Sequence, residues 1–215
     1  MASGLAYSLA LCDDNPMAVR SPGMTRAFSD VVRASERAGV ELVVVGALAR
    51  NVYLTPRTTD DADFLVRSLE QAARVMDESK DDFEPTEVEL VTRLVHRSTG
   101  AKVDLIVAEY GFEFEGMDEA LKHKVRRRAV RVMPADHLAA MKVDAAGDPR
   151  RPLDFGEVVL LFLEGVAQPA HVEALIRRDL PSALPTLERI LAAVERAKNA
   201  AQRPARGRSK AKDVP

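Results

Sequence analysis

Along the first third of the chain, Phe28, Val31, Val32 and Ala38 recur at helical spacing among charged neighbours, which predicts a helix over residues 24–38 that stops at Gly39. The run ELVVV at 41–45 is short, continuous and rich in β-branched residues, and it ends at Gly46. It reads as a buried strand followed by a tight turn, with a helix opening over 47–53. After the loop TPRTTDD comes ADFLV, a second buried strand, and Ser68 is placed to cap a helix that runs to about residue 80. Residues 87–95 and 102–107 predict two further strands joined by Ser98-Thr99-Gly100. So short a connection allows only antiparallel pairing, so the sheet is expected to be mixed. Beyond Gly116 the pattern predicts a short helix, a last strand at 125–132, and helical periodicity from Pro134 nearly to residue 198.

These elements predict an α/β (α+β) chain: a mixed sheet flanked by helices over residues 1–133, and a C-terminal helical lobe over 134–200. From 201 to 215 the sequence is basic with almost no large apolar residue, and burial cannot repay the entropy of ordering it. A disordered tail is expected there.

With 215 residues, 47% hydrophobic and 30% charged, the composition is that of a soluble globular protein with a sizeable core. The single cysteine, Cys12, excludes an internal disulfide framework, and a cytoplasmic setting is the expectation. The apolar run near the N-terminus lacks a basic segment before it, so it does not read as a signal peptide. No apolar stretch approaches the roughly 20 residues that span a bilayer, so no membrane partner is expected. The net charge is −2, yet KHKVRRR at 122–128 concentrates positive charge. Such blocks are usually solvated faces; contact with phosphate or RNA is the other reading.

The chemistry concentrates in VVVGALARNVYLTPRTTDDADFLV at 43–66. Side chains two apart on a strand share a face, so Asp61 and Asp63 can meet one cation while Asp60 and Ala62 point away. Two carboxylates held side by side repel unless a proton or a divalent cation lies between them, and oxygen donors suit Mg²⁺ or Mn²⁺. Asp104, an acid inside the apolar strand KVDLIV, would complete the set. Gly46 lets a ligand approach the backbone, and the amides opening the next helix supply donors for phosphate. Arg57, Thr58 and Thr59 stand just before the acidic pair. Each feature alone has a plainer explanation: a capping pair, a turn glycine, or an edge charge that discourages aggregation. Their combination in this order points to phosphoryl chemistry. The four histidines lack ligand spacing and are assigned no chemistry.

The blocks VVVGA, RTTDDADFLV and KVDLIV resemble the minimal nucleotidyltransferase superfamily, and within it the AbiEii-like toxins of bacterial toxin–antitoxin systems. The resemblance spans about residues 25–165, and RTTDDADFLV is its most specific block. The downstream stretch ADHLAAMKVDAAGDPRRPLDFGEVVLL is similar to the family's later motif and maps to Lys142, Arg150 or Arg151, and Asp154. The family's second Gly or Ser after the strand is Ala47 here, and Glu157 stands where a second Asp is frequent. The resemblance implies that Asp61, Asp63 and Asp104 hold Mg²⁺ or Mn²⁺, with Asp104 acting on the attacking hydroxyl and Lys142 facing the triphosphate. Gly46, Ala47, Arg57, Thr59 and Asp154 would complete the NTP site. A Lys on an amphipathic helix is otherwise a solvated charge, and Asp154 a helix acid paired with an arginine.

The function implied is transfer of nucleotides from NTP to the 3′ end of tRNA, blocking translation, with a cognate antitoxin as partner. Lys122, Lys124, Arg126, Arg127 and Arg128 are candidates for the RNA backbone. Transfer to a small hydroxyl compound or to a protein would need an acceptor pocket instead. A catalytically inactive binding module or antitoxin is the reading from a different class.

Overall fold

The structure, a computed structural model, describes residues 22–88, 90–125 and 128–202. The N-terminal run with Cys12, the basic tail from 203, and Arg126 and Arg127 lie outside the described residues.

Helix α1 (Pro22–Ala38) turns Phe28, Val31 and Val32 inward and stops at Gly39, whose φ of +60° suits a residue without a side chain. The strand expected over 41–45 is only two residues long, β1 (Val43–Val44), although its neighbours Leu42 and Val45 are also buried. Then come α2 (Gly46–Tyr53), β2 (Asp61–Val66) and α3 (Leu69–Ser79). Ser68 caps α3 as expected, accepting from the Gln71 amide at 3.2 Å.

The stretch expected as one strand over 87–95 is instead the end of β3 (Phe83–Val88) and the start of β4 (Val91–His96). Pro85 hid β3 from view, because proline argues against a strand except at an edge or bulge. Here β3 is an edge strand, and its register shifts between Pro85 and Glu87. The turn at Ser98-Thr99-Gly100 joins β4 to β5 (Lys102–Val107) in the antiparallel pairing expected.

Helix α4 (Gly111–Asp118) begins before Gly116 rather than after it. The single strand expected at 125–132 proves to be a hairpin, β6 (Leu121–Val125) with β7 (Arg128–Val132). Strand β6, LKHKV, is the opposite edge, and edge lysines deter pairing with other chains while blurring the alternation that would reveal a strand. Four helices follow: α5 (Ala135–Ala145), α6 (Pro152–Leu163), α7 (Pro169–Asp179) and α8 (Leu184–Gln202).

The seven strands form one mixed sheet in the order β3-β4-β5-β2-β1-β7-β6. Strand β2 runs parallel to β5 and antiparallel to β1, and β1 runs parallel to β7. One hydrophobic cluster joins the sheet to α1 and α3, with Phe28 tilted against Phe64 at 5.3 Å. A second fills the C-terminal helices around Val158, Leu161, Ile176 and Ile190. Tyr53 and Met141 pack against both clusters. No helix among the described residues is long and apolar enough to cross a membrane.

Candidate active site

Gly46 opens α2 with φ +60°, where side chains are strained. A Cβ there would stand 1.8 Å from Asp63 Oδ2, so only glycine lets β2 lie this close. The Val45 amide donates to the Asp63 carbonyl at 3.0 Å, tying the turn to the strand. Val45 provides no side-chain cap to α2, which leaves the helix's first amides to other acceptors.

Asp61 and Asp63 alternate with buried Ala62 and Phe64 along β2. Asp63 stands level with Asp104 on β5, and Asp104 stands level with Arg93 on β4, so the three side chains form a row on one face. Asp61 accepts from the Thr59 hydroxyl at 2.7 Å. Asp104 accepts twice from Arg93, from Nε at 2.9 Å and from a terminal nitrogen at 2.8 Å. Burial above all, then the charges of Asp61 and Asp104, push the Asp63 carboxyl up to about 7, against the pull of Lys142 and Arg151. A carboxylate that resists ionisation beside two others is short of positive charge. That deficit, and the all-oxygen donor set, fit a hard divalent cation.

The facing wall is built from α5 and α6. Lys142, 5% exposed, places Nζ 2.8 Å from Asp154 Oδ1 and 2.6 Å from Glu157 Oε2. Asp154 also receives Arg151 Nε at 2.9 Å, and Glu157 receives Arg57 Nε at 2.7 Å. Burial by itself would raise the Glu157 carboxyl, but Lys142 and Arg57 outweigh it and hold it below the usual range. Buried Asn51 fixes the loop that carries Arg57, accepting from the Arg57 amide at 3.0 Å and donating to its carbonyl at 2.8 Å.

Between the walls lies a cleft of about 560 Å³. Ala47, Arg57, Thr59, Asp61, Asp63, Lys142 and Asp154 line it, together with Thr58, Arg150 and Arg151. Gly46 and Asp104 are not among its lining residues: Gly46 meets Asp63 at the start of α2, and Asp104 stands level with Asp63 on β5. Of the residues expected for RNA, Lys122 and Lys124 sit on the far edge strand, three strand spacings from β2, or about 14 Å. They are not part of the cleft.

Sequence reasoning missed Arg93 and Asn51. Arg93 carries a signal only once β4 is aligned with β5; Asn51 is a polar residue on the inner side of a short helix. It also left His96 without a role. Among the described residues, the one group of three ligand-type residues with atoms all within 4.8 Å is Asp30, Asp82 and His96. Its Asp30 carboxylate already meets Arg33 and His96 Nε2, and it ties α1 to β4. The strand aspartates are not drawn that tightly together.

No protein-family model matches this sequence, and no curated protein matches it. Solved structures do. An antigenic nucleotidyltransferase-like protein from Paracoccidioides brasiliensis is similar with a TM-score of 0.55 at 14% identity, over 84% of this chain and 91% of that one. ANT(2″)-Ia in complex with adenylyl-2″-tobramycin is similar with a TM-score of 0.50 at 12% identity, over 80% of this chain and 97% of that one. The fold is therefore nucleotidyltransferase-like, a mixed sheet flanked by helices.

Proposed function

We propose that this protein is a metal-dependent nucleotidyltransferase that moves a nucleotide from NTP to an acceptor hydroxyl, with the 3′ end of tRNA as acceptor. The observation that carries this reading is the set Asp61 and Asp63, two apart on β2, with Asp104 level with Asp63 on the parallel strand β5; Asp63 is short of positive charge, and it and Asp61 line a cleft whose rim is arginine-rich. A divalent cation bound there supplies charge neutralisation for the triphosphate and lowers the pKa of the attacking hydroxyl. Asp61, Asp63 and Asp104 would hold it. Asp104 would accept the hydroxyl proton as the acceptor oxygen bonds to the α-phosphorus and the bond to the bridging oxygen breaks, releasing pyrophosphate. Arg57, Arg151 and the free α2 amides would orient the phosphates.

For Lys142 the proposed role is to hold Asp154 and Glu157, and through them Arg151 and Arg57, at the cleft rim. The edge lysines Lys122 and Lys124 lie too far away for a small acceptor but within the footprint of an RNA. On this reading the protein is a growth-arresting toxin, and a cognate antitoxin would cover the cleft. Transfer to a small hydroxyl compound is the second reading; it is favoured by the ANT(2″)-Ia likeness, since that structure carries an adenylylated tobramycin.

The test is to incubate the protein with Mg²⁺, each labelled NTP in turn, and either total tRNA or a panel of aminoglycosides, beside the Asp61→Ala, Asp63→Ala double variant. Label on tRNA that vanishes in the variant supports the first reading. Label on an aminoglycoside alone moves the conclusion to the second, and no label with any acceptor removes both.

A further inference from the structure

Arg93 has no part in the nucleotidyl transfer described above, yet it holds the Asp104 carboxylate at two points. It stands level with Asp104 across β4 and β5, and its two nitrogens engage both carboxylate oxygens, at 2.9 and 2.8 Å. Such a two-point fork is among the stronger pairings a carboxylate can make. The two partners differ in exposure: the Asp104 side chain is 9% exposed and that of Arg93 is 34%. The carboxylate is buried in the sheet, while the guanidinium that reaches it is about a third exposed to solvent. A divalent cation that took Asp104 as a ligand could do so only by sharing or displacing the fork.

We propose that Arg93 is a built-in counter-ion that occupies Asp104 in the metal-free protein and must yield when a divalent cation takes that carboxylate as a ligand. The pairing keeps the empty row from carrying its full negative charge, and it weakens cation binding by the cost of breaking the fork. Arg93 is thus a positioning residue that sets metal affinity. The inference rests on the reading of Asp61, Asp63 and Asp104 as the metal site.

The experiment measures Mn²⁺ alone, by calorimetry and by the loss of free-ion paramagnetic resonance signal. The proteins are the full-length wild type, Arg93→Met, Arg93→Lys, Asp104→Asn and the Arg93→Met, Asp104→Asn double variant. Arg93→Met is expected to bind Mn²⁺ roughly tenfold more tightly, because the competing charge is gone. Arg93→Lys, which keeps the charge but loses the fork, should fall between. With Asp104→Asn in place, Arg93→Met should bring no gain. Equal or weaker Mn²⁺ binding by a folded Arg93→Met protein overturns the proposal. Should that variant fail to fold, Arg93→Lys decides, and an affinity no higher than wild type overturns it. A wild type that binds no Mn²⁺, or binds it equally well after Asp61→Ala and Asp63→Ala, sinks the metal site itself; unchanged affinity in the Arg93 variants alone sinks only the counter-ion role.

Discussion

The two walls of the cleft both bury charge, and they balance it in opposite ways. On the helical wall Lys142 sits between Asp154 and Glu157, and each acid has a second cation, Arg151 or Arg57. On the sheet wall Arg93 pairs with Asp104, and Asp63 is left with its carboxyl raised to about 7. A closed network of this kind holds its shape without any ligand. An unbalanced one stores a demand for positive charge that only a proton or a metal can meet. The lesson is that buried acids mark a scaffold or a site according to whether each has a cation of its own within the protein.

The comparison breaks most visibly on the sheet side. Asp61→Ala with Asp63→Ala is expected to lower nucleotidyl transfer by about a thousandfold or more while leaving the metal-free fold intact. Initial rates and a thermal melt check both halves, and a melt that collapses would mean these acids are structural. On the helical wall, Lys142→Met should behave in the opposite sense. It removes the cation that Asp154 and Glu157 share, leaving them to Arg151 and to Arg57 and Arg50, and should cost about 1–3 kcal/mol, read from urea unfolding. If that variant unfolds at the wild-type midpoint, the closed network is not holding the lobe.

Gly46→Ala probes the seam between the walls. Strain at φ +60° and the collision with Asp63 should cost about 1–3 kcal/mol and displace the strand carboxylate. The check is a loss of Mg²⁺-induced thermal protection greater than the loss of stability. The smallest effect is in pH. The Asp63 carboxyl is raised on folding, so the folded state holds its proton more tightly than the unfolded one. Metal-free stability from this group is then present at low pH and declines as pH rises from about 4 to about 7. A drop of a few degrees in Tm over that range is expected, and Asp63→Asn should flatten it. A wild type that grows more stable across the range, with Asp63→Asn following it, would contradict the electrostatics assigned to the row.

Much of the cleft was legible because it is local. Strand period places Asp61 and Asp63 on one face, and Gly46 announces the turn that admits them. What escaped was set by partners distant in sequence. Arg93 means nothing until a hairpin brings it level with Asp104, and Lys142, expected at the site through the family resemblance, shows its ion pairs only once α6 folds Asp154 and Glu157 against it. The edge strands escaped for another reason. Pro85 in β3 and the lysines of β6 are the features that protect an open edge, and they erase the signature by which a strand is recognised. The two valines of β1, by contrast, take in the sheet's centre a place far larger than their length suggested, flanked by β2 and β7.

Tyr53 and Met141 each touch both hydrophobic clusters, and Tyr53 also donates to the Met133 carbonyl at 2.8 Å. Neither body of apolar side chains can loosen without exposing part of the other. Heat should therefore melt sheet and helices in one cooperative step, with calorimetric and van't Hoff enthalpies in agreement. The same coupling restrains breathing of the cleft: its walls are pinned at the base, so capture of a ligand should proceed by small adjustments at the rim rather than by a wide hinge.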